Sequence, residues 1–166
     1  MPKRARCPYC DRLFNRDVLD AHVEKCRTQE QVGNNLELRS QKRKIVVDGN
    51  NVAYHLTPQE RPQAQNLALA YYSLTASGFD PIFVVSAALD HTIDSPSSLD
   101  SFMMSATVIK APQGTNDDLK IIQLAKKLGV EIVSNDRFLD WIDKFPWLTS
   151  RLRRFRMTPS GLILTM

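Results

Sequence analysis

The chain has 166 residues, 43% of them hydrophobic, with 22 Lys and Arg against 18 Asp and Glu; that is room for one ordinary domain and a small appendage. No run of 18 apolar residues exists, and the basic start Met1-Pro2-Lys3-Arg4-Ala5-Arg6 meets Cys7 before an apolar stretch can begin, so neither a membrane span nor a signal peptide is expected. A soluble protein of the cytoplasm or nucleus is expected. Residues 1–44 hold 11 basic and 6 acidic side chains and the remainder 11 and 12, so the net +4 comes from the N-terminal segment.

All three cysteines lie in the first 26 residues beside a histidine, poor material for a disulfide framework. Cys7-x2-Cys10-x11-His22-x3-Cys26 supplies four zinc-type ligands. Two thiolates sit on a knuckle, and His22 and Cys26 lie one helical turn apart. Phe14 and Leu19 would form the miniature core. The pattern, over residues 1–28, resembles a Cys-Cys-His-Cys zinc finger holding structural zinc. Fingers that read DNA usually come in tandem; a single one bearing Asp17 and Asp20 is expected to help bind RNA or a protein partner. Residues 29–44 read as a linker ending in Arg39-Ser40-Gln41-Lys42-Arg43-Lys44. Such a run suits a nucleic-acid backbone or nuclear import, or is simply solvated.

From Ile45 onward, over 45–166, short apolar runs alternate with helical patterns. Ile45-Val46-Val47 suits a buried strand, ended by turn residues Asp48-Gly49-Asn50-Asn51. Thr57-Pro58-Gln59-Glu60 has the form of a capping box, predicting a helix to about Ser77 with Gly78 as its stop and Pro62 able to delay its start. Pro81 to Ser86 reads as a strand, Pro96 to Met104 as a short helix, and Thr107 to Lys110 as a third strand. Thr115-Asn116-Asp117-Asp118 caps a helix that Gly129 ends, and Val130 to Ser134 makes a fourth strand. Asn135-Asp136 is expected to start a helix to about Lys144. Leu152 to Met157 and Leu162 to Thr165, flanking Thr158-Pro159-Ser160-Gly161, read as a hairpin. The alternation implies an α/β fold of three layers, with a mainly parallel central sheet and helices on both faces.

In such a sheet the ligand site lies beyond the carboxyl ends of the strands, where strand order reverses. Asp48 follows the first strand, Asp117 and Asp118 open the helix after the third, and Asp136 follows the fourth, with Asp140 one helical turn on. Each alone is explained as a helix-start carboxylate. Together in one crevice they would repel one another, a cost that a hard divalent cation, magnesium or manganese, would offset.

The segments Val46-Val47-Asp48-Gly49-Asn50-Asn51-Val52-Ala53, Asn116-Asp117-Asp118 and Val133-Ser134-Asn135-Asp136-Arg137-Phe138-Leu139-Asp140 resemble the NYN domain, a branch of the PIN-like nucleases, and its Regnase-type ribonucleases in particular. The resemblance implies a metal-dependent endoribonuclease acting on single-stranded RNA and leaving 5′-phosphate and 3′-hydroxyl ends. It implies Asp48 as the central magnesium or manganese ligand, with Asp117, Asp118 and Asp136 completing the acidic pocket and Asp140 a further member. Asn51 then supports the site or the substrate. Those relatives carry a Cys3His finger after the nuclease domain, whereas the finger here precedes it.

Around this site Arg137 is expected to contact phosphate, and Arg154 with Arg156 to track an RNA backbone from one strand face, a solvated edge strand being the other reading. His55 and His91 read as structural or surface residues, and Trp141, Phe145 and Trp147 as core. The competing function is a catalytically inactive PIN-like RNA-binding adaptor. A Rossmann nucleotide enzyme fits poorly, because Asp48-Gly49-Asn50-Asn51 is not a glycine-rich phosphate loop. No membrane partner is expected, and a homodimer that completes the groove is left open.

Overall fold

The structure, a computed structural model, describes residues 4–8, 13–25 and 42–165. The chain divides into two units, residues 1–42 and 43–166. In the first, strands β1 (Arg4–Arg6) and β2 (Leu13–Asn15) pair antiparallel with Ala5 opposite Phe14, and residues 16–25 form helix α1. Cys7 is buried, and the Phe14 ring stacks on His22 with centroids 3.8 Å apart. Cys10 and Cys26 of the expected zinc set, and residues 29–41 of the expected linker, lie outside the described residues.

The second unit opens with β3 (Arg43–Asp48), so Arg43 and Lys44 belong to a strand and not to the linker. Then come α2 (Gly49–Tyr54), a 3-10 turn at Pro58–Glu60, α3 (Ala64–Ala76), β4 (Phe79–Ser86), α4 (Leu89–Thr92) and α5 (Pro96–Ser105). The chain continues through β5 (Thr107–Ala111), α6 (Asp117–Leu128), β6 (Ile132–Val133), α7 (Leu148–Arg151), β7 (Leu152–Thr158) and β8 (Gly161–Thr165). The strands form one sheet in the order β5-β4-β3-β6-β7-β8. All neighbours are parallel except β8, which returns antiparallel along β7. Strand order reverses between β3 and β6, so the crevice between their carboxyl ends is the switch point.

Strand alternation divides the core between the two faces of this sheet. Ile45, Val47, Phe83, Val85, Val133 and Phe155 pack with α2, α3 and α5 residues on one face. Val46, Val84 and Ile132 pack on the other with Ile121, Ile122 and Ala125 of α6 and with Phe138 and Leu148. The three-layer α/β architecture with a mainly parallel sheet is therefore the one expected. No helix among the described residues is long and apolar enough to cross a membrane.

Four local expectations are corrected. Asp48 does not merely end a strand in a turn: it is the N-cap of α2, its side chain accepting from the Asn51 amide. The helix expected from Thr57 starts at Ala64. Positive φ at Gln59 (63°) and Glu60 (56°) interrupts the chain, and the first amide of α3 is satisfied by Asp94 Oδ1 at 2.9 Å, from 30 residues away. β6 is only two residues long, because Val130 is still bonded to Ala125 O in the left-handed cap at Gly129 and the Ser134 side chain turns to Asp48.

The helix expected over 135–144 does not form. Asp136 Oδ1 accepts from the Phe138 amide at 2.8 Å, and Phe138 takes φ 50°, a left-handed value that no right-handed helix accommodates. A run of turns replaces it. Asp140 therefore owes its position to turns and not to helical spacing.

Candidate active site

Asp48 sits at the end of β3 on the switch-point crevice and is 7% exposed. Its Oδ1 accepts from Asn51 N at 3.1 Å and its Oδ2 from Ser134 Oγ at 2.9 Å. Burial raises its carboxyl from 3.8 to about 6, opposed in part by those two hydrogen bonds and reinforced by the charges of Asp118 and Asp136. Ser134 in turn accepts from the Asp136 amide at 3.1 Å. One hydroxyl thus joins the two strand ends, bonding the carboxylate of Asp48 and the backbone amide of Asp136.

Asn116 caps α6, its Oδ1 accepting from the amides of Asp118 (3.0 Å) and Leu119 (3.3 Å). Burial raises the Asp117 carboxyl. Asp118 is raised first by burial and then by Asp136, Asp117 and Asp140, offset only in part by Trp141. The five aspartates singled out in the sequence therefore form one electrostatic group. Among the described residues, no three His, Cys, Asp or Glu side chains converge closely enough to hold one metal ion together.

Asn51 Oδ1 accepts from the Asn135 amide at 2.9 Å, so it holds the loop that carries Asp136. Asn135 donates through Nδ2 to Phe155 O and accepts at Oδ1 from Phe155 N, both at 3.0 Å. Its amide acts as an added rung between the ends of β6 and β7. Across the sheet Asn50 Oδ1 accepts from Ser86 N at 3.0 Å. Gly49 lies so close to β4 that a Cβ there would stand 2.5 Å from Val85 Cγ1 and 2.9 Å from Val84 O, which seats α2, and with it the Asp48 cap, on the sheet.

Ser134, Asn135 and Asn50 were not among the expected site residues. The signal for Ser134 was a lone hydroxyl closing a buried apolar run. Nothing in the local pattern marked the two asparagines, whose partners lie 20 and 36 residues away.

Arg137 and Arg154 border a cleft of about 300 Å³ that Asp136 and Ser134 also line. Arg156 is exposed but does not reach it. His55 packs on Phe155 with centroids 4.9 Å apart, while burial lowers its pKa; His91 is exposed on α4. Trp141, Phe145 and Trp147 pack against the second core cluster, as expected. Lys144, Lys126 and Arg151 lie over those rings at 5.2, 5.8 and 5.1 Å respectively.

Residues 41–160 match the family model described as the Zc3h12a-like ribonuclease NYN domain. No curated protein matches the chain. Among solved structures, nuclear proteinaceous RNase P 2 (PRORP2) from A. thaliana is similar, with 18% identity, coverage of 98% of this chain and 40% of that one, and a TM-score of 0.61. A second structure, of Arabidopsis thaliana nuclear protein-only RNase P 2, gives 19% identity over 90% of this chain and 35% of that one, with a TM-score of 0.59. At this identity the likeness is one of fold, and the chain spans at most 40% of those proteins.

Proposed function

The chain belongs to the Zc3h12a-like ribonuclease NYN family, and from that premise we propose that it is a divalent-cation-dependent endoribonuclease hydrolysing single-stranded RNA to 5′-phosphate and 3′-hydroxyl ends. The observation that carries this reading is Asp48, buried at the switch point and raised to about 6 while facing Asp118 and Asp136. Among the described residues, no Lys or Arg figures among the charges acting on Asp48, Asp117 or Asp118. A cluster of that kind is costly as it stands, and its cost falls when a cation enters.

The donors are carboxylate oxygens, which suit magnesium or manganese. Magnesium keeps several waters and is held through one or two carboxylates, so a site in which no three acidic groups meet still fits it. Asp48 would hold the ion with Asp118 or Asp136 as a second ligand, the other carboxylate reaching it through a metal-bound water, and Asp117 and Asp140 would add charge at the rim. When bound, the cation supplies an activated water and offsets charge on the phosphate. Ser134 orients the Asp48 carboxylate, and Asn51 keeps the Asp136 loop in register. Arg137 and Arg154 bind RNA phosphates beside the reacting one, with Arg156 further along the strand.

In the N-terminal unit Cys7, Cys10, His22 and Cys26 would hold structural zinc. The hairpin followed by a helix, with Cys7 buried and Phe14 against His22, suits that framework. The unit and its basic linker would help to anchor RNA or a protein partner.

The test is cleavage of an unstructured RNA with manganese or magnesium, by the wild type and by Asp48→Asn. Cleavage by the wild type, abolished by chelation and by the substitution, is expected. If neither folded protein cuts while both bind RNA, the inactive-adaptor reading takes its place.

A further inference from the structure

Beside the carboxylates the chain builds a second feature. The φ of 50° at Phe138 turns its ring into the core and leaves the next residue, Leu139, 69% exposed. Leu139 forms one wall of the cleft of about 300 Å³, together with Ile142, Thr149 and Leu152. Arg137 and Arg154 line it as well, and so does Asp136, the member of the acidic group that it shares.

The two guanidiniums are not employed by the fold. Arg153 pairs with Glu131 and Arg151 lies on Trp147, whereas the side chains of Arg137 and Arg154 have no hydrogen-bond or ion-pair partner among the described residues. They do not bond Asp136 although they share a cleft with it. Apolar walls flanked by two unpaired cations match one nucleotide of a single strand: an unstacked base with phosphate on each side. Bases taken out of a stack pack on Arg planes and between aromatic or apolar side chains. A stacked duplex presents no such base.

We infer that this cleft is a base-binding subsite, in which the walls of Leu139, Ile142, Thr149 and Leu152 take one base next to the cut bond while Arg137 and Arg154 hold its phosphates. The inference rests on the proposed ribonuclease reading. It adds that recognition depends on the base and not on the backbone alone, and that the cleft sets which bonds are cut.

The test is a titration of the full chain with adenosine and uridine 5′-monophosphates and with ribose 5-phosphate, read by NMR at the methyl groups of Leu139 and Ile142. None of the three probes contains an internucleotide bond to cut, so the result does not depend on activity. The nucleotides should bind about tenfold more tightly than ribose phosphate, within the range that losing one stacked base costs. Thr149→Trp, which fills the cleft from an exposed position, and Leu139→Glu should erase that difference without changing the melting temperature. Equal binding of all three probes, or unchanged preference in both folded variants, would overturn the subsite. Mapping cleavage sites on one mixed-sequence RNA completes the comparison, the variants being expected to redistribute the cuts. A wild type that cuts no RNA yet prefers nucleotides would sink the ribonuclease reading while leaving the subsite standing.

Discussion

Asp48 holds its charge where the protein is least able to solvate it, and that has a measurable cost. Its carboxyl titrates near 6 in the folded chain against 3.8 for the ordinary group. The folded state therefore keeps a proton that the unfolded state releases between those values. The associated stability is fully present below pH 3.8 and is lost as pH rises through about 6, leaving a penalty of about 3 kcal/mol above it. In chelator, Asp48→Asn should accordingly melt several degrees higher than the wild type at pH 7.5, with the gap closing towards pH 4; thermal melts across that range check it. In the proposed site Ser134 is a positioning residue for Asp48. Ser134→Ala removes the hydroxyl that bonds Asp48 Oδ2 and receives the Asp136 amide. It should lower cation affinity by about 10- to 100-fold, as losses behind a metal ligand commonly do. Isothermal titration with manganese reads this directly, and an unchanged affinity would show that the hydroxyl is only filling space.

Elements whose ends carry their own chemistry were legible in the sequence. α6 begins at its Asn116 cap and stops at Gly129 with φ 67°, and the β7–β8 hairpin turns at Pro159 and Ser160 as the turn residues require. The stretch after β6 was not, because its helical pattern is overridden by the Asx-type bond from the Phe138 amide to Asp136 and by burial of the Phe138 ring. The start of α3 was misjudged for a related reason: its cap is Asp94, remote in sequence. The five aspartates were readable as types at strand ends, but the groups that aim them were not, since a Ser or Asn bonding across 20 to 86 residues leaves no local trace. Asn135→Ala tests how far such a group matters. Losing both bonds to Phe155 should cost about 2 kcal/mol in urea unfolding and depress cleavage further than the stability loss explains, because the Asp136 loop comes free of β7. Wild-type turnover at full occupancy of the folded state would contradict that.

Most of the net positive charge is carried by the N-terminal unit. Residues 1–42 carry nine Lys and Arg against six Asp and Glu, and the larger unit has its own core. Deleting residues 1–42 should leave a folded domain that still cuts RNA but binds it more weakly, with a shallower dependence on salt, as expected when phosphate-neutralising cations are removed. Anisotropy across a salt series, on an Asp48→Asn background with and without the segment, measures it; an identical slope would move the N-terminal unit towards a protein partner. The Asn135 clamp also bears on synthesis. The last of the five aspartates is Asp140, yet the loop holding Asp136 is tied to the backbone of Phe155. A chain emerging N-terminus first carries every acidic group of the site before it can brace them. On the ribosome the site is thus chemically complete before it is braced, and the loop holding Asp136 gains its tie only once the strand containing Phe155 has docked.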